Sequence, residues 1–167
     1  IDSGHNLLHI AILCAMPEEI GTALSNLKNI SEKRKGDLKI FSGEWISPID
    51  STVIFVSIAW SGWGKVSASR AATRILDSNI KGKAVDFLIF TGVAGSAKIS
   101  LNQWDIVLPN ELVQHDMDAS PIYKKYVIPA LNKSRIKVSA KLLDWANKSI
   151  SMDLKNNNLK KFGKIEV

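Results

Sequence analysis

Two adjacent carboxylates, Glu18 and Glu19, are the side chains in this sequence best placed to act as a base. They follow an apolar run of strand length, residues 7–14, and Pro17, which suits the first helical position because its missing N–H is unpaired there anyway. Acidic side chains in a first helical turn are common, since they complement the helix dipole. A helix that starts just past a strand also borders the crevice where α/β proteins bind ligands, and the dipole keeps a carboxylate there ionised. The spacing leaves open which of the two glutamates faces this crevice.

Two glycine turns, residues 61–64 (SGWG) and 91–96 (TGVAGS), follow other strand-like segments. Neither turn has the spacing of a Walker loop or of a dinucleotide fingerprint. The glycines let the backbone turn tightly or approach a planar ligand closely. Trp60 and Trp63 flank the first turn, where they are either core aromatics or a stacking wall for a base.

Metal and thiol chemistry find little support in the sequence. His115, Asp116 and Asp118 are too few and too close in the chain to surround an ion by themselves. Cys14 lies in an apolar strand with no paired histidine and acid, which is typical of a small core residue. We therefore predict no metal site, no cofactor and no cysteine nucleophile.

Strand-like and helix-like segments alternate along the chain with short connections, which predicts an α/β fold with a mixed central sheet flanked by helices. The ligand crevice is then expected at the carboxyl ends of the strands. The predicted strands are residues 7–14, 38–46, 52–60, 85–90, 104–113 and 162–167. The predicted helices are residues 17–27, 66–76 and 136–150, and a charged turn is predicted at residues 29–36.

Composition limits the class of protein. With 167 residues, 46% of them hydrophobic and 23% charged, the chain is of a size and make-up typical of one globular domain spanning residues 1–167. Its net charge of +6 comes largely from polar, asparagine-rich segments with no basic-and-aromatic strand pattern, which favours a solvated face over a nucleic-acid site. Its apolar runs are too short to span a bilayer, so we expect no membrane partner. A single cysteine cannot form an internal disulfide, which favours a cytoplasmic location.

Four segments carry a family resemblance when they are taken in order. They are residues 11–20 (AILCAMPEEI), 61–66 (SGWGKV), 90–95 (FTGVAG) and 104–119, in which WDIV leads to QHDMDA. Together they resemble the signatures of 5′-methylthioadenosine/S-adenosylhomocysteine nucleosidases, within the wider purine nucleoside phosphorylase superfamily. Each segment is weak by itself, but the four in this order are specific.

This resemblance implies an activity and a set of site residues. The activity is hydrolysis of the N-glycosidic bond of methylthioadenosine or adenosylhomocysteine to release adenine, with Glu19 activating the attacking water. Met16 is expected at the ribose and Trp63 at the pocket for the 5′-substituent. The residues expected along the adenine and the ribose are Val93, Ala94 and Gly95.

The resemblance also implies a homodimer that binds a small adenine nucleoside. In that dimer, Ala119, Ile122 and Tyr123 are expected on a loop that reaches the pocket of the neighbouring subunit. Neither a metal ion nor an organic cofactor is implied.

Departures from the family pattern shape the expectation for this chain. The family's Met-Glu motif, which binds ribose, and its Ser-Asp motif, whose aspartate protonates the purine, are absent from the 167 residues. We therefore expect the N-terminal two-thirds of the family fold, incomplete at the C-terminus, and weak or no activity from the chain alone. Trp104 and Ser96 also replace glycines of the pattern, and Trp63 is bulky for its pocket.

Other functions stay open from the sequence. A related enzyme, such as a futalosine hydrolase or a nucleoside phosphorylase, is one alternative. The phosphorylase is disfavoured because this chain has Ile89 and Phe90 where that branch has a phosphate-binding arginine, and glutamates in the first motif. The other alternative is an inactive nucleoside-binding or dimerisation module.

Overall fold

The computed structural model describes residues 7–155 and the backbone of residues 165–166. The chain divides into two compact units, Ile1–Gly95 and Ser96–Val167, and each is described by itself. A single domain over the whole chain stays a prediction.

A five-stranded sheet with the order β2-β3-β4-β1-β7 forms the first unit. β1 lies between β4 and β7 and runs parallel to both, whereas β2, β3 and β4 form an antiparallel meander. This arrangement confirms the predicted mixed sheet. The elements of the unit are β1 (His9–Cys14), β2 (Lys28–Lys35), β3 (Leu38–Ile46), β4 (Val53–Trp60), α1 (Lys65–Leu76), β5 (Asn79–Ile80), β6 (Lys83–Ala84) and β7 (Phe87–Phe90).

Apolar side chains cover both faces of this sheet. On one face, Ala71 and Ile75 of α1 are fully buried against strand residues that include Leu13 and Ile40. On the other face, the segment after β1 packs against Val56 and Ile58. The residues of that segment are Ile20, Ala23, Leu24 and Leu27, whose spacing is that of one face of a helix.

The backbone of this segment differs from the predicted helix. Pro17–Ile20 forms a short 3-10 helix, and turns follow it up to Asn26. Gly21 ends the 3-10 helix with φ of +56°, a conformation that glycine adopts without steric cost. The spacing of the apolar residues therefore indicated the buried face correctly, but an α-helix over residues 17–27 was wrong.

β2 replaces the charged turn that was predicted for residues 29–36. It pairs antiparallel with β3 and, among the described strands, with no other. Nearly all of its residues are exposed, so its sequence carries no alternation between buried and exposed positions. Charged side chains on an edge strand also hinder pairing with another chain.

The second unit contains shorter elements: β8 (Ile106–Val107), β9 (Glu111–Leu112), β10 (Ile136–Lys137), α2 (Ala140–Lys155) and β11 (Ile165–Glu166). β8 pairs parallel with β11, and β9 pairs antiparallel with β10. The strand predicted over residues 104–113 is thus two short strands with different partners. The third helix starts at Ala140 rather than at Ile136, because Ile136 pairs with Leu112.

The strand predicted at residues 162–167 is present at Ile165–Glu166, and its remaining residues lie outside the described part. Among the helices of the described residues, none combines the length and the apolar character that crossing a membrane requires.

Candidate functional site

Three parallel strands end side by side in the first unit. The main-chain carbonyl of Cys14, the last residue of β1, accepts a hydrogen bond from Ser61 N at 2.8 Å, just past β4. The carbonyl of Leu13 accepts one from Thr91 N at 3.0 Å, just past β7. Both glycine turns are therefore held against the carboxyl end of β1, which is where α/β sheets bind ligands.

Glu19 joins these strand ends through its carboxylate. Its Oε2 accepts hydrogen bonds from Ala15 N at 2.8 Å and Met16 N at 2.9 Å. Its Oε1 accepts one from Val93 N at 3.0 Å. These backbone donors, Val93 foremost, hold the pKa of the Glu19 carboxyl below its usual value, so the group is ionised at neutral pH.

The structure distinguishes the two glutamates that the spacing left equivalent. Glu18 is exposed to solvent, whereas Glu19 is half-buried at the strand ends. Glu19 also caps its own short helix, because its carboxylate accepts from Met16 N while Glu19 N donates to Met16 O at 3.2 Å. This cap alone gives Glu19 a structural role. The third bond, to a residue 74 positions away, ties it to the loop after β7.

The carboxylate of Glu19 retains a free acceptor position. An ionised carboxylate has about four lone-pair sites, two on each oxygen. Three are used by the backbone donors: two on Oε2 and one on Oε1. The remaining site on Oε1 can accept a hydrogen bond from a water molecule, so the arrangement can orient a nucleophilic water.

Gly92 lets the backbone approach this carboxylate. A Cβ atom at position 92 would lie 2.8 Å from Glu19 Oε1, which is closer than a real Cβ contact allows. Gly92 was not among the predicted site residues. The sequence feature that could have indicated it is a glycine directly after the predicted strand that ends at Phe90-Thr91.

Comparison with known proteins identifies the family. The family model of the phosphorylase superfamily matches residues 9–163. The chain belongs to the phosphorylase superfamily.

Within this superfamily the chain is similar to nucleosidases. It is 34% identical over 113 residues to the 5′-methylthioadenosine/S-adenosylhomocysteine nucleosidase of Anoxybacillus flavithermus, covering 68% of this chain and 44% of the relative. It is 31% identical over 142 residues to that of Desulfotalea psychrophila, covering 84% of this chain and 56% of the relative. The chain thus spans about half the length of these curated relatives.

Solved structures of the superfamily share the fold. The nucleosidase of Colwellia psychrerythraea, solved in complex with adenine, superposes with a TM-score of 0.77 at 26% identity over 95% of this chain and 60% of its own. The futalosine hydrolase of Helicobacter pylori superposes with a TM-score of 0.71 at 26% identity over 97% of this chain and 63% of its own. The nucleosidase resemblance and the nucleoside phosphorylase-like fold are confirmed.

The structure brings three of the predicted site residues together, namely Met16, Glu19 and Val93. Met16 and Val93 contribute backbone N–H groups to the Glu19 carboxylate, and the Val93 side chain is 80% exposed. Trp63, Ala94 and Gly95 lie in the two glycine turns and are exposed. The substrate-binding roles of these residues stay predictions.

The two tryptophans beside the first turn differ in their surroundings. Trp60 stacks on Phe41 with ring centroids 5.3 Å apart, which makes it an aromatic of the sheet surface. Trp63 is 78% exposed. Trp63 is therefore the more accessible of the two to a ligand.

The predicted dimer loop lies in the second unit. Tyr123 N donates to Ala119 O at 3.1 Å, which closes a turn between them. Ile122 is 84% exposed and Tyr123 is 38% exposed. Their role in a neighbouring pocket stays a prediction.

The remaining chemical candidates have structural explanations. Cys14 is fully buried, and burial raises the pKa of its thiol to about 11. Its Sγ donates to Met16 O at 3.0 Å. Asp118 accepts a hydrogen bond from Ser120 N at 3.0 Å within its own loop. Within the described residues, no three side chains of histidine, cysteine, aspartate or glutamate are grouped so as to hold a metal ion.

Proposed function

We propose that this chain carries the water-activating part of an adenine nucleoside hydrolase, acting on methylthioadenosine or adenosylhomocysteine to release adenine. The observation that carries the proposal is the Glu19 carboxylate, held by three backbone N–H groups at the end of three parallel strands with one acceptor site free. The nucleosidase relatives support the choice of substrate.

The chemistry follows from this geometry. As the bond between the ribose and the purine breaks, its electron pair leaves with the purine and positive charge develops on the sugar. The ionised Glu19 holds a water by its hydrogen, and its negative charge stabilises the sugar cation. The water oxygen then bonds to the sugar carbon while its proton passes to Glu19 Oε1. The proton for the departing purine comes from a separate acid.

The test is adenine release with the protein in excess over methylthioadenosine, measured for the parent chain, Glu19→Gln and Glu18→Gln. We expect Glu19→Gln to lower the rate by about 10²–10⁴-fold, the usual contribution of a general base, and Glu18→Gln to leave it unchanged. Nucleoside binding is measured on the same samples by calorimetry. Undiminished release by Glu19→Gln would refute its role. Binding without any release from the parent chain would limit these residues to a nucleoside-binding module, and the absence of both binding and release would refute the proposal.

Futalosine is a second candidate substrate, because the futalosine hydrolase of Helicobacter pylori shares the fold over nearly the whole chain. The resemblance assigns the exposed Trp63 to the pocket for the 5′-substituent, one of the parts in which the two substrates differ. Competition between methylthioadenosine and futalosine in the same assay separates the two functions. We expect methylthioadenosine to be preferred.

We also propose that the chain forms a homodimer through the loop of Ala119, Ile122 and Tyr123. The large exposed fraction of Ile122 supports this proposal, since burying an isoleucine at an interface is favourable. Light scattering over a dilution series is expected to show a dimer for the parent and a weaker one for Ile122→Asp. A monomer at all concentrations would refute it. A cytoplasmic location and the lack of a nucleic-acid partner stay predictions.

A further inference from the structure

A cavity in the first unit is lined by none of the residues of the candidate site. Its volume is about 360 Å³, which is within the range of small-molecule pockets. It lies between β2, β3 and the β5–β6 hairpin. The lining residues are Asn29, Ser31, Lys33, Ser42, Gly43, Glu44, Asn79, Ile80 and Lys81.

A bulge in β2 forms one wall of this cavity. The register between β2 and β3 shifts between Lys28 and Ser31, and Asn29 has φ of +51°. Gly43 on β3 allows the close approach, because a Cβ there would lie 2.7 Å from Lys28 O. Bulges of this kind redirect side chains and are frequent beside binding sites.

The hairpin turn forms the opposite wall. Lys81 and Gly82 both have positive φ, at +50° and +82°, as a tight two-residue hairpin turn requires. Asparagine, aspartate or glycine is usual in the position of Lys81, so a lysine there is strained. Positive φ at a non-glycine residue persists where the surroundings fix it, often at ligand sites.

The two positive-φ residues of the walls, Asn29 and Lys81, bind the same carboxylate, that of Glu44. Lys81 Nζ lies 2.8 Å from Glu44 Oε1, and Asn29 Nδ2 donates to Glu44 Oε2 at 2.8 Å. The Glu44 charge is thereby neutralised by Lys81. The Lys33 side chain forms no ion pair or hydrogen bond with any described residue, so the cavity keeps one uncompensated positive charge.

Ser42 supplies a directional group at the cavity wall. His9 Nδ1 lies 3.0 Å from Lys83 O, an acceptor, so Nδ1 carries the proton of the neutral imidazole. Ser57 therefore donates to His9 Nε2 at 2.9 Å, and Ser42 donates to Ser57 at 2.8 Å. The hydroxyl hydrogen of Ser42 is donated to Ser57, so toward a ligand the Ser42 oxygen can act only as a hydrogen-bond acceptor.

We propose that this cavity binds a small hydroxylated oxyanion, with the anionic group at Lys33 and a hydroxyl donating to Ser42 Oγ. A carboxylate or a phosphate ester supplies the same anionic chemistry. The neighbouring amides of Asn29 and Asn79 offer further hydrogen bonds to hydroxyl groups.

The test is an NMR titration of the amide-labelled chain with gluconate, glucose 6-phosphate and neutral sorbitol. We expect saturable shifts at Ser31, Lys33, Glu44 and Lys81 with an oxyanion, and none with sorbitol. Preference for gluconate or for glucose 6-phosphate assigns the anion as a carboxylate or as a phosphate.

Two variants with equal charge change locate the anion. Lys33→Gln is expected to weaken binding about tenfold or more, the effect of losing one charge-assisted hydrogen bond. Lys39→Gln is the control, since Lys39 pairs with Glu32 at 3.4 Å and does not line the cavity. It should change affinity by less than about twofold. Absence of saturable shifts with both oxyanions overturns the proposal, as does equal binding of sorbitol or an equal effect of the two variants.

Discussion

Replacing Glu19 by glutamine tests the geometry of the candidate site through stability, independently of any activity. Glutamine keeps one acceptor oxygen but presents an NH₂ group in place of the other. That NH₂ group must face either Val93 N or the pair Ala15 N and Met16 N, which are donors themselves. At least one backbone N–H therefore loses its partner.

The size of the effect follows from these bonds. A hydrogen bond to a charged group contributes about 1.5–3 kcal/mol when it is buried. Because Glu19 is only half-buried, hydrogen bonds to water replace part of the lost interaction. We therefore expect Glu19→Gln to lower the free energy of unfolding by about 1–2 kcal/mol. For a chain of this size the melting temperature then falls by roughly 2–8 °C.

Thermal unfolding followed by circular dichroism at neutral pH measures this difference. Glu18→Gln is the matched control, since it removes the same charge from an exposed neighbour and should change stability by less than about 0.5 kcal/mol. The pKa of Glu19 is lowered from 4.5 in the folded chain, so its contribution is complete above pH 4.5. It is lost as the pH falls through the folded-state pKa, and the parent and Glu19→Gln then converge. Equal melting temperatures for Glu18→Gln and Glu19→Gln at neutral pH would refute the three-bond arrangement.

Three further predictions concern groups near the strands of the first unit. Gly92→Ala should lower the melting temperature, because its Cβ would lie 2.8 Å from Glu19 Oε1, whereas Gly95→Ala meets open space and should not; equal melting would contradict the contact. Burial lowers the pKa of His9 below 6.5, so the stability it provides is complete above pH 6.5 and is lost as the pH falls through the folded-state pKa. The melting temperature should therefore change less between pH 7 and pH 5 in His9→Gln than in the parent chain. His115→Gln, a variant of an exposed histidine, should keep the pH dependence of the parent. An equal pH dependence in the two variants would count against a buried neutral imidazole at His9. The Cys14 thiol, with a pKa of about 11, should react with a disulfide reagent at pH 8 far more slowly in the folded chain than in denaturant, and equal rates would show that it is accessible.

Patterns of burial explain which elements the sequence predicted well. β3 and α1 have buried residues at the spacing of their own structure, whereas β4 is a continuous buried run rich in β-branched and aromatic residues. All three lie where these patterns predicted them. β2 has no buried residue to mark it, because it is an edge strand that pairs on one side and faces solvent on the others. An exposed strand of this kind is determined by its partner rather than by its own composition.

The candidate site shows a similar division. The motif around Met16 and Glu19 was recognisable from local sequence, as were the glycine turns. The spacing alone did not decide between Glu18 and Glu19, and the family resemblance assigned the role to Glu19. The physical difference between the two depends on Val93, which comes near only when β1 and β7 pair. Gly92 was missed for the same reason, since its requirement comes from Glu19 and not from the turn itself.

The position of β1 between β4 and β7 determines when the site can form during synthesis. β1 is made before the other strands of this sheet, yet neither of its partners exists until the chain has grown to Trp60 and then to Phe90. At about 5–20 residues per second, the apolar segment His9–Cys14 waits roughly 4–15 s for its second partner. Glu19 acquires its third hydrogen bond only after Val93 has emerged. Among the strands of this sheet, the first to be made is thus among the last to gain all its partners, and it is the segment that a chaperone would have reason to hold.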